Sequence, residues 1–452
     1  MSPTTIVSLL LAVVFWSPLP AAGITLTQAW FMALDNDPDY LAAVQDKLAG
    51  EEYISIGRAG LLPTVSLSYQ RAPRNWQKQQ YRQTNLQGQH TDVVQHQQYQ
   101  SYSGSVTLVQ PLFDYEAYSR YRMGIMRKLQ SDERYRGELV ALQTRLVDAW
   151  LALAEAQQRR QLSVMHRQAL EEQQRLIRRQ YSAGEGTVTD TAETDAALSL
   201  AVADESDAQD TLETARDTLA AIIGADLPGE HPLPLLVDKP LRLPLASTQY
   251  RYWEQRAFAH NPDILASGHD VEARRYEIES NRAGHLPQVQ LYAMHSQNDS
   301  GNDNTVHQKY RTDSIGLRVS MDIFSGGRVS ASTRQAAARY EQAQHLHDAQ
   351  SLKTINAIKK SLNKCLHGPT RIAAYRAAVV SASKQVEATR KSILVGQRMN
   401  IDLLTAEQTL YKARVELSAE KHAVIKAWFG LLAQTGEVTS DNIMLLDKHF
   451  AD

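Results

Sequence analysis

The stretch Arg58-Ala-Gly-Leu-Leu-Pro63-Thr-Val-Ser-Leu67 is written a second time as Arg282-Ala-Gly-His-Leu-Pro287-Gln-Val-Gln-Leu291. Upstream, Pro38-Asp39-Tyr-Leu41-Ala42 is echoed by Pro262-Asp263-Ile-Leu265-Ala266, and both proline pairs lie 224 positions apart (262 − 38 and 287 − 63). The chain is an internal duplication. In each copy a helical run is halted by Gly and Pro, because Pro removes a backbone donor and restrains the residue before it. The residues after each proline alternate apolar and polar, as a strand does. A long helix therefore turns into a strand at the same place in each half.

The 452 residues are 43% hydrophobic and 22% charged, too apolar for disorder. A formal net charge of −2 argues against a dedicated nucleic-acid binder. The mean hydropathy of −0.39 excludes a polytopic helical membrane protein. Residues 1–23 differ in kind: an apolar run from Ile6 to Trp16, then Ser17-Pro-Leu-Pro20 and the small residues Ala21-Ala22-Gly23. They read as a secretory signal peptide, with a short N-terminal anchor as the alternative because the segment before Ile6 has no Lys or Arg. The lone Cys365 provides no disulfide framework, and no Cys follows the cleavage region to carry a lipid.

Residues 24–224 form the first repeat and residues 248–436 the second. A proline-rich linker at 225–247 joins them, and 437–452 is a C-terminal tail. In the first repeat a helix over 26–60 is interrupted at Pro38, where Asn36 or Asp37 can cap a new start. Residues 64–70 alternate, with Val65, Leu67 and Tyr69 on one face. Residues 71–100 are Gln-rich and polar and read as a long solvated loop before a second strand over 101–113. The second repeat offers Val289, Leu291 and Ala293, a polar loop over 296–308, then Ile315, Leu317, Val319, Met321 and Ile323. Each of the four strands has about the length that crosses a bilayer when tilted.

From residue 114 to about 181 nothing breaks a helix, and apolar residues recur at Leu139, Leu142, Leu146, Ala149, Leu153 and Ala156 with coiled-coil spacing. At about 1.5 Å per residue this helix would be on the order of 100 Å long. Its twin spans 328–395, with a kink expected at Gly368-Pro369. Each long helix ends in a short turn, at Gly184-Glu-Gly186-Thr187 or Gly396-Gln-Arg398-Met-Asn400, and returns as a second helix reaching Gly224 or Gly436. In the first hairpin, Arg159, Arg160, Arg167, Arg175, Arg178 and Arg179 go out. Asp190, Glu193, Asp195, Asp204, Glu205, Asp207 and Asp210 return, which favours antiparallel pairing.

A four-stranded sheet has two open edges, and lipid cannot satisfy the backbone groups on an edge. A symmetric oligomer closes it, and a trimer contributing twelve strands is the natural count for a water-filled barrel. The fold class expected is mainly α with a small β part: duplicated coiled-coil hairpins plus four transmembrane strands per chain.

These residues resemble the TolC-like outer-membrane channel proteins, especially those of type I protein secretion. The carriers are the duplicated Arg-Ala-Gly-x-Leu-Pro, Gln110-Pro-Leu-Phe113-Asp, Asp322-Ile-Phe324-Ser-Gly-Gly327, and the tips Gly184-x5-Asp190 and Val395-Gly396-Gln-Arg398-x3-Asp402-Leu-Leu. The resemblance covers nearly the whole mature chain. It implies a homotrimer in outer-membrane lipid, with a twelve-stranded barrel and a periplasmic helical tunnel docked on an adaptor protein and an inner-membrane ABC transporter. The cargo would be a secreted protein. The resemblance places Asp402 on a carboxylate ring at the constriction and Arg398 on a tie from the inner hairpin to its neighbour. Thr189 and Asp190 match the partners of that tie. Thr405 and Ile393 stand where better-known members have a second carboxylate and a latch tyrosine. Gly184, Thr187 and Gly396 mark the exposed tips that would seat the adaptor. The competing reading makes Asp402 a helix cap and the glycines plain helix ends.

Asn298-Asp-Ser-Gly-Asn-Asp303 lacks the bidentate Glu of a calcium loop and reads as a solvated turn. His90, His96, His295 and His307 lie in or beside the two external loops, where a metal site would need a convergence that the sequence does not show. With no nucleophile elbow, phosphate loop, HExxH or CxxC, neither an enzyme nor a cofactor is expected. The alternatives are a drug-efflux outer component and, less well supported, a periplasmic coiled-coil adaptor or scaffold.

Overall fold

The computed structural model describes residues 24–227, 236, 243–300 and 308–450. The expected leader, most of the linker, His307 and the end of the loop Asn298 to Asp303 lie outside the described residues. The chain divides into two compact units: one of the residues up to Leu41, Val140–Trp253 and those from Ala357 on, the other of Ala42–Leu139 and Glu254–Asn356.

The elements in chain order are α1 (Leu26–Asn36), α2 (Pro38–Ala59), β1 (Thr64–Thr84), β2 (His90–Phe113), α3 (Tyr115–Ser182), α4 (Val188–Ile223), α5 (Tyr250–His260) and α6 (Pro262–Arg282). A short 3-10 turn, Ala283–His285, precedes β3 (Gln288–Ser300), β4 (Gln308–Ser320), α7 (Arg328–Leu394), α8 (Asn400–Gln434) and α9 (Ser440–Phe450). The α1–α2 break follows from Pro38, with Asp37 Oδ1 accepting from the Tyr40 amide at 2.8 Å. Asn261 makes the corresponding bond to Ile264 N at 3.0 Å before Pro262 in the second copy. Asp114 starts α3 by accepting from Ala117 N at 2.9 Å. Residues 328–394 are one helix through Pro369.

The sheet unit contains one antiparallel sheet in the order β1-β2-β3-β4. Its outward rows run Val65–Leu108–Ala293–Ile315 and Leu67–Val106–His295–Asp313 across all four strands. Exposure of 68% at Val65, 77% at Leu67, 76% at Ile315 and 67% at Val319 leaves an apolar face uncovered within the chain. β1 and β4 are the edges. In the same unit α2 approaches α3 through small residues. A Cβ on Gly124 would stand 2.4 Å from Tyr53 O, and one on Gly57 2.9 Å from Tyr121 Cα.

Two expectations are corrected here. Residues 71–100 are not a loop: β1 and β2 continue as a two-stranded ribbon to the pair Thr84–His90, with one register shift between Ala72 and Asn75. The turn is tight, because Asn85 Oδ1 accepts from the amides of Gln87 at 3.1 Å and Gln89 at 2.8 Å while Gly88 takes φ 78°. At the other side β4 ends at Ser320, so Met321 and Ile323 lie beyond the ladder, ahead of Gly326 and Gly327 at φ 62° and 80°.

The helical unit has its own buried core. Leu142, Leu146, Trp150, Leu212, Leu219, Ile425, Trp428 and Phe429 are buried in it. The C-terminal segment, expected as a tail, includes helix α9, which packs on α1. Its Asp447 accepts from Leu26 N at 3.1 Å and from Thr27 Oγ1 at 2.8 Å, placing a carboxylate on the positive end of α1. The described end of the linker is pinned by two indoles: Trp428 Nε1 donates to Pro244 O and Trp253 Nε1 to Ser247 O, both at 2.8 Å.

Candidate functional site

The tips of the two helical hairpins share one backbone design. After α3, Gly184 takes φ 80°, its amide donates to Tyr181 O at 3.0 Å, and Glu185 N donates to Gln180 O at 2.9 Å. After α7, Gly396 takes φ 74° and the same bonds recur from Gly396 N to Ile393 O and from Gln397 N to Ser392 O, at 3.0 and 2.9 Å. This pairing of a left-handed glycine with a long return bond ends a helix cleanly. Nothing lies within 4 Å of either glycine's Cβ position, so in the single chain both tips are open.

The returning helices begin on aspartates. Thr187 caps α4: its Oγ1 accepts from Asp190 N at 3.1 Å and donates to Asp190 Oδ2 at 2.6 Å, while Thr187 N donates to the same carboxylate oxygen at 3.2 Å. At α8 the corresponding position is Met399, which has no hydroxyl; only the bond from Met399 N to Asp402 Oδ2 remains, at 3.2 Å. Asp402 is less firmly held than Asp190. Its second interaction is the Arg398 guanidinium at 3.5 Å, with 60% and 38% of the two side chains exposed. Within the chain, Asp402 is thus both a helix cap and an exposed carboxylate. Arg398 meets Asp402 and not Thr189 or Asp190; Thr189 is exposed, and Asp190 is occupied by Thr187. Ile393 packs half-buried against Ala382, Val386, Leu403, Ala406 and Leu410 between α7 and α8.

A residue that joins the two hairpins at their tips was not among those expected. Asn400, 5% exposed, donates from Nδ2 to Thr194 Oγ1 at 2.8 Å and accepts at Oδ1 from Gln173 Nε2 at 2.8 Å. Thr194 in turn donates to Asp190 O at 2.7 Å. One side chain on the first turn of α8 therefore reaches both helices of the first hairpin. Below it Leu404 packs with Leu170 and Ala201. The signal available in the sequence was a broken repeat: Asn400 corresponds to Val188 across the 212-residue offset between tips (400 − 188).

Polar pairs continue along the hairpins. Asp195 accepts from Gln174 at 2.7 Å and Arg178 at 3.1 Å, which hold it below the usual carboxylate range, Gln174 contributing most. Arg167 joins Glu171 and Glu205, and Arg390 reaches Glu407 at 3.2 Å; burial nevertheless pushes Glu407 upward. His166 lies flat on Tyr411, centroids 4.4 Å apart, and burial lowers its pKa against the attraction of Asp204. Burial pushes the Cys365 thiol up to about 11, which keeps it protonated.

No group of three or more His, Cys, Asp or Glu able to hold a metal occurs among the described residues. His90 bonds Thr84 and His295 bonds Asp313, at separate places on the sheet. The tips present carboxylates and guanidinium groups.

The family model described as "Outer membrane efflux protein" matches residues 31–225 and 253–437. The chain is 39% identical to the alkaline protease secretion protein AprF of Pseudomonas aeruginosa over 95% of its length and 88% of the relative's. It is 37% identical to the proteases secretion protein PrtF of Dickeya chrysanthemi, over 95% and 92% of the two chains. Among solved structures, the outer membrane protein VceC of Vibrio cholerae superposes with a TM-score of 0.76 at 16% identity, covering 91% of this chain and 96% of the other. That likeness bears on the fold.

Proposed function

Because the chain belongs to the outer membrane efflux protein family, we propose that it is the outer-membrane exit duct of a protein secretion apparatus of type I, a conduit rather than an enzyme. The observation that carries the reading is the sheet with an apolar outer face and two unpaired edges, β1 and β4. In a bilayer those edges must find partners. Three copies, each pairing its β1 with the next copy's β4, would close a twelve-stranded barrel wide enough for water. The identity to two proteins named for protease secretion favours a secreted protein as cargo over the small molecules that the family description suggests.

In this reading the hairpins form the periplasmic duct, and the tips at Gly184, Thr187 and Gly396 seat a periplasmic adaptor joined to an inner-membrane ABC transporter. The tip residues Asp402 and Arg398 would line the constriction, with Thr189 and Asp190 facing a neighbouring chain's Arg398. The open glycine turns and the weakly held Asp402 support these roles.

The test is complementation. A strain lacking this chain is expected to retain its secreted protease in the cell and to release it again when the chain is restored. Unchanged protease in the medium, with heightened sensitivity to toxic small molecules, would instead make the chain an efflux component.

A further inference from the structure

Above the apolar rows the outer face of the sheet changes character, and it does so on the two edge strands. On β4, the outward series Val319, Leu317, Ile315 is followed by Asp313, Arg311 and Lys309. On β1, Val65, Leu67 and Tyr69 are followed by Arg71, with Arg74 in the register shift just beyond. All four cations are exposed and none has an ion pair among the described residues. The inner strands carry no cation at these heights: the same rows hold Gly104 and Tyr102 on β2 and Gln297 and Asp299 on β3. Of the nearby carboxylates Asp313 is engaged by His295 at 2.5 Å, and Asp299 also has a partner.

Two residues of strand advance about 7 Å. Arg71 therefore stands one such step past Tyr69, and Arg311 and Lys309 two and three steps past Ile315. That is the depth at which lipid phosphates follow the hydrocarbon. The helices leave the opposite end of these strands, and the helical part extends into the periplasm. The cations thus face the outer leaflet. In the trimer proposed above β1 of one copy pairs with β4 of the next, so the two strands that carry these cations adjoin at each seam. Like charges facing each other across paired strands destabilise the pair unless an anion lies between them.

We propose that each subunit seam binds a phosphorylated glycolipid of the outer leaflet, its phosphates bridged by Arg71 and Arg74 of one chain and Lys309 and Arg311 of the next. The inference rests on the trimeric reading above. Bidentate guanidinium contacts suit phosphate oxygens, and Tyr69 and Tyr102 form the aromatic girdle at the hydrocarbon edge.

The experiment uses the full chain in phosphatidylcholine vesicles containing diphosphoryl lipid A, its enzymatically dephosphorylated form, or neither, and reads the temperature at which trimers dissociate on gels. Diphosphoryl lipid A is expected to raise that temperature by several degrees, an effect that fades at high salt. The dephosphorylated lipid should do little. In Arg71→Gln/Arg74→Gln/Lys309→Gln/Arg311→Gln the gain should vanish while trimers still form. Equal stabilisation by both lipids, equal gain in the variant, or the same gain from free inorganic phosphate would each overturn the proposal. Should the variant fail to assemble, the comparison of lipids on the unaltered chain decides. Trimers that form but ignore lipid phosphate overturn the seam site alone, whereas a chain that never forms trimers overturns the assembly reading and this site with it.

Discussion

Asn400→Ala tests whether the bonds between the hairpin tips hold a duct closed. The substitution removes the bond to Thr194 Oγ1 in a buried setting and the bond from Gln173 Nε2 in a part-buried one. Thr194 keeps its own bond to Asp190 O, so only Gln173 loses its partner outright. At about 1 kcal/mol net for each bond, the loss is about 2 kcal/mol per chain, or roughly thirtyfold in the balance between joined and parted hairpins. The Arg398–Asp402 pair cannot replace these bonds, since it is exposed and lies within one hairpin. Trimers reconstituted in a planar bilayer are expected to show higher conductance and more frequent opening than wild type. Gln173→Ala should produce part of the effect, and the double variant little more than Asn400→Ala, because both act on one bond. Conductance indistinguishable from wild type in correctly folded Asn400→Ala trimers would refute the idea that this contact opposes opening.

Asp402→Asn removes the charge but keeps an oxygen to accept from Met399 N; the cation preference expected of a carboxylate ring should fall, read as a shift in reversal potential under a salt gradient, and an unchanged potential moves the constriction elsewhere. Val319→Pro should abolish trimers on native gels: whether its amide points toward β3 or toward the open edge, a donor is lost where lipid offers no substitute. Replacing Gly184 and Gly396 by Val should force strain at positive φ and abolish adaptor crosslinking while the barrel stays in the membrane; unchanged crosslinking removes the tips as the seat. Burial lowers the His166 pKa from its ordinary 6.5, so the unfolded chain binds the extra proton first and stability is lost as pH falls below about 6.5. Circular dichroism melts should show a smaller loss between pH 7 and 5 for His166→Phe, which keeps a ring on Tyr411, and an equal loss would assign the pH dependence to other groups.

How much of the fold is legible in the chain depends on which forces leave a periodic mark. Duplication exposed the strand starts at Pro63 and Pro287 and the turns at Gly184 and Gly396, because proline and left-handed glycine constrain the backbone whatever surrounds them. The apolar rows of β1 and β4 were legible because lipid demands alternation on one face. The ribbon over 71–100 was not, and for the same reason: beyond the lipid neither face must be apolar, so the pairing of Gln, Tyr and Arg residues there leaves no alternation to find. Position 400 was hidden differently. A buried Asn on α8 among three polar partners from α3 and α4 depends on which helix faces lie together, and neither repeat alone carries that information. The Val188–Asn400 mismatch acquires a meaning only once the copies pack against each other: at that height one copy supplies the polar side chain and the other the groups that satisfy it. Identical residues at both positions would serve less well. Two valines would leave Gln173 without this partner and Thr194 with only its bond to Asp190 O, and a second Asn at position 188 would stand on an exposed site. Divergence between the copies at the tips is therefore what permits this buried Asn of one hairpin to be satisfied by the other, as the proposed opening by parted hairpins would require.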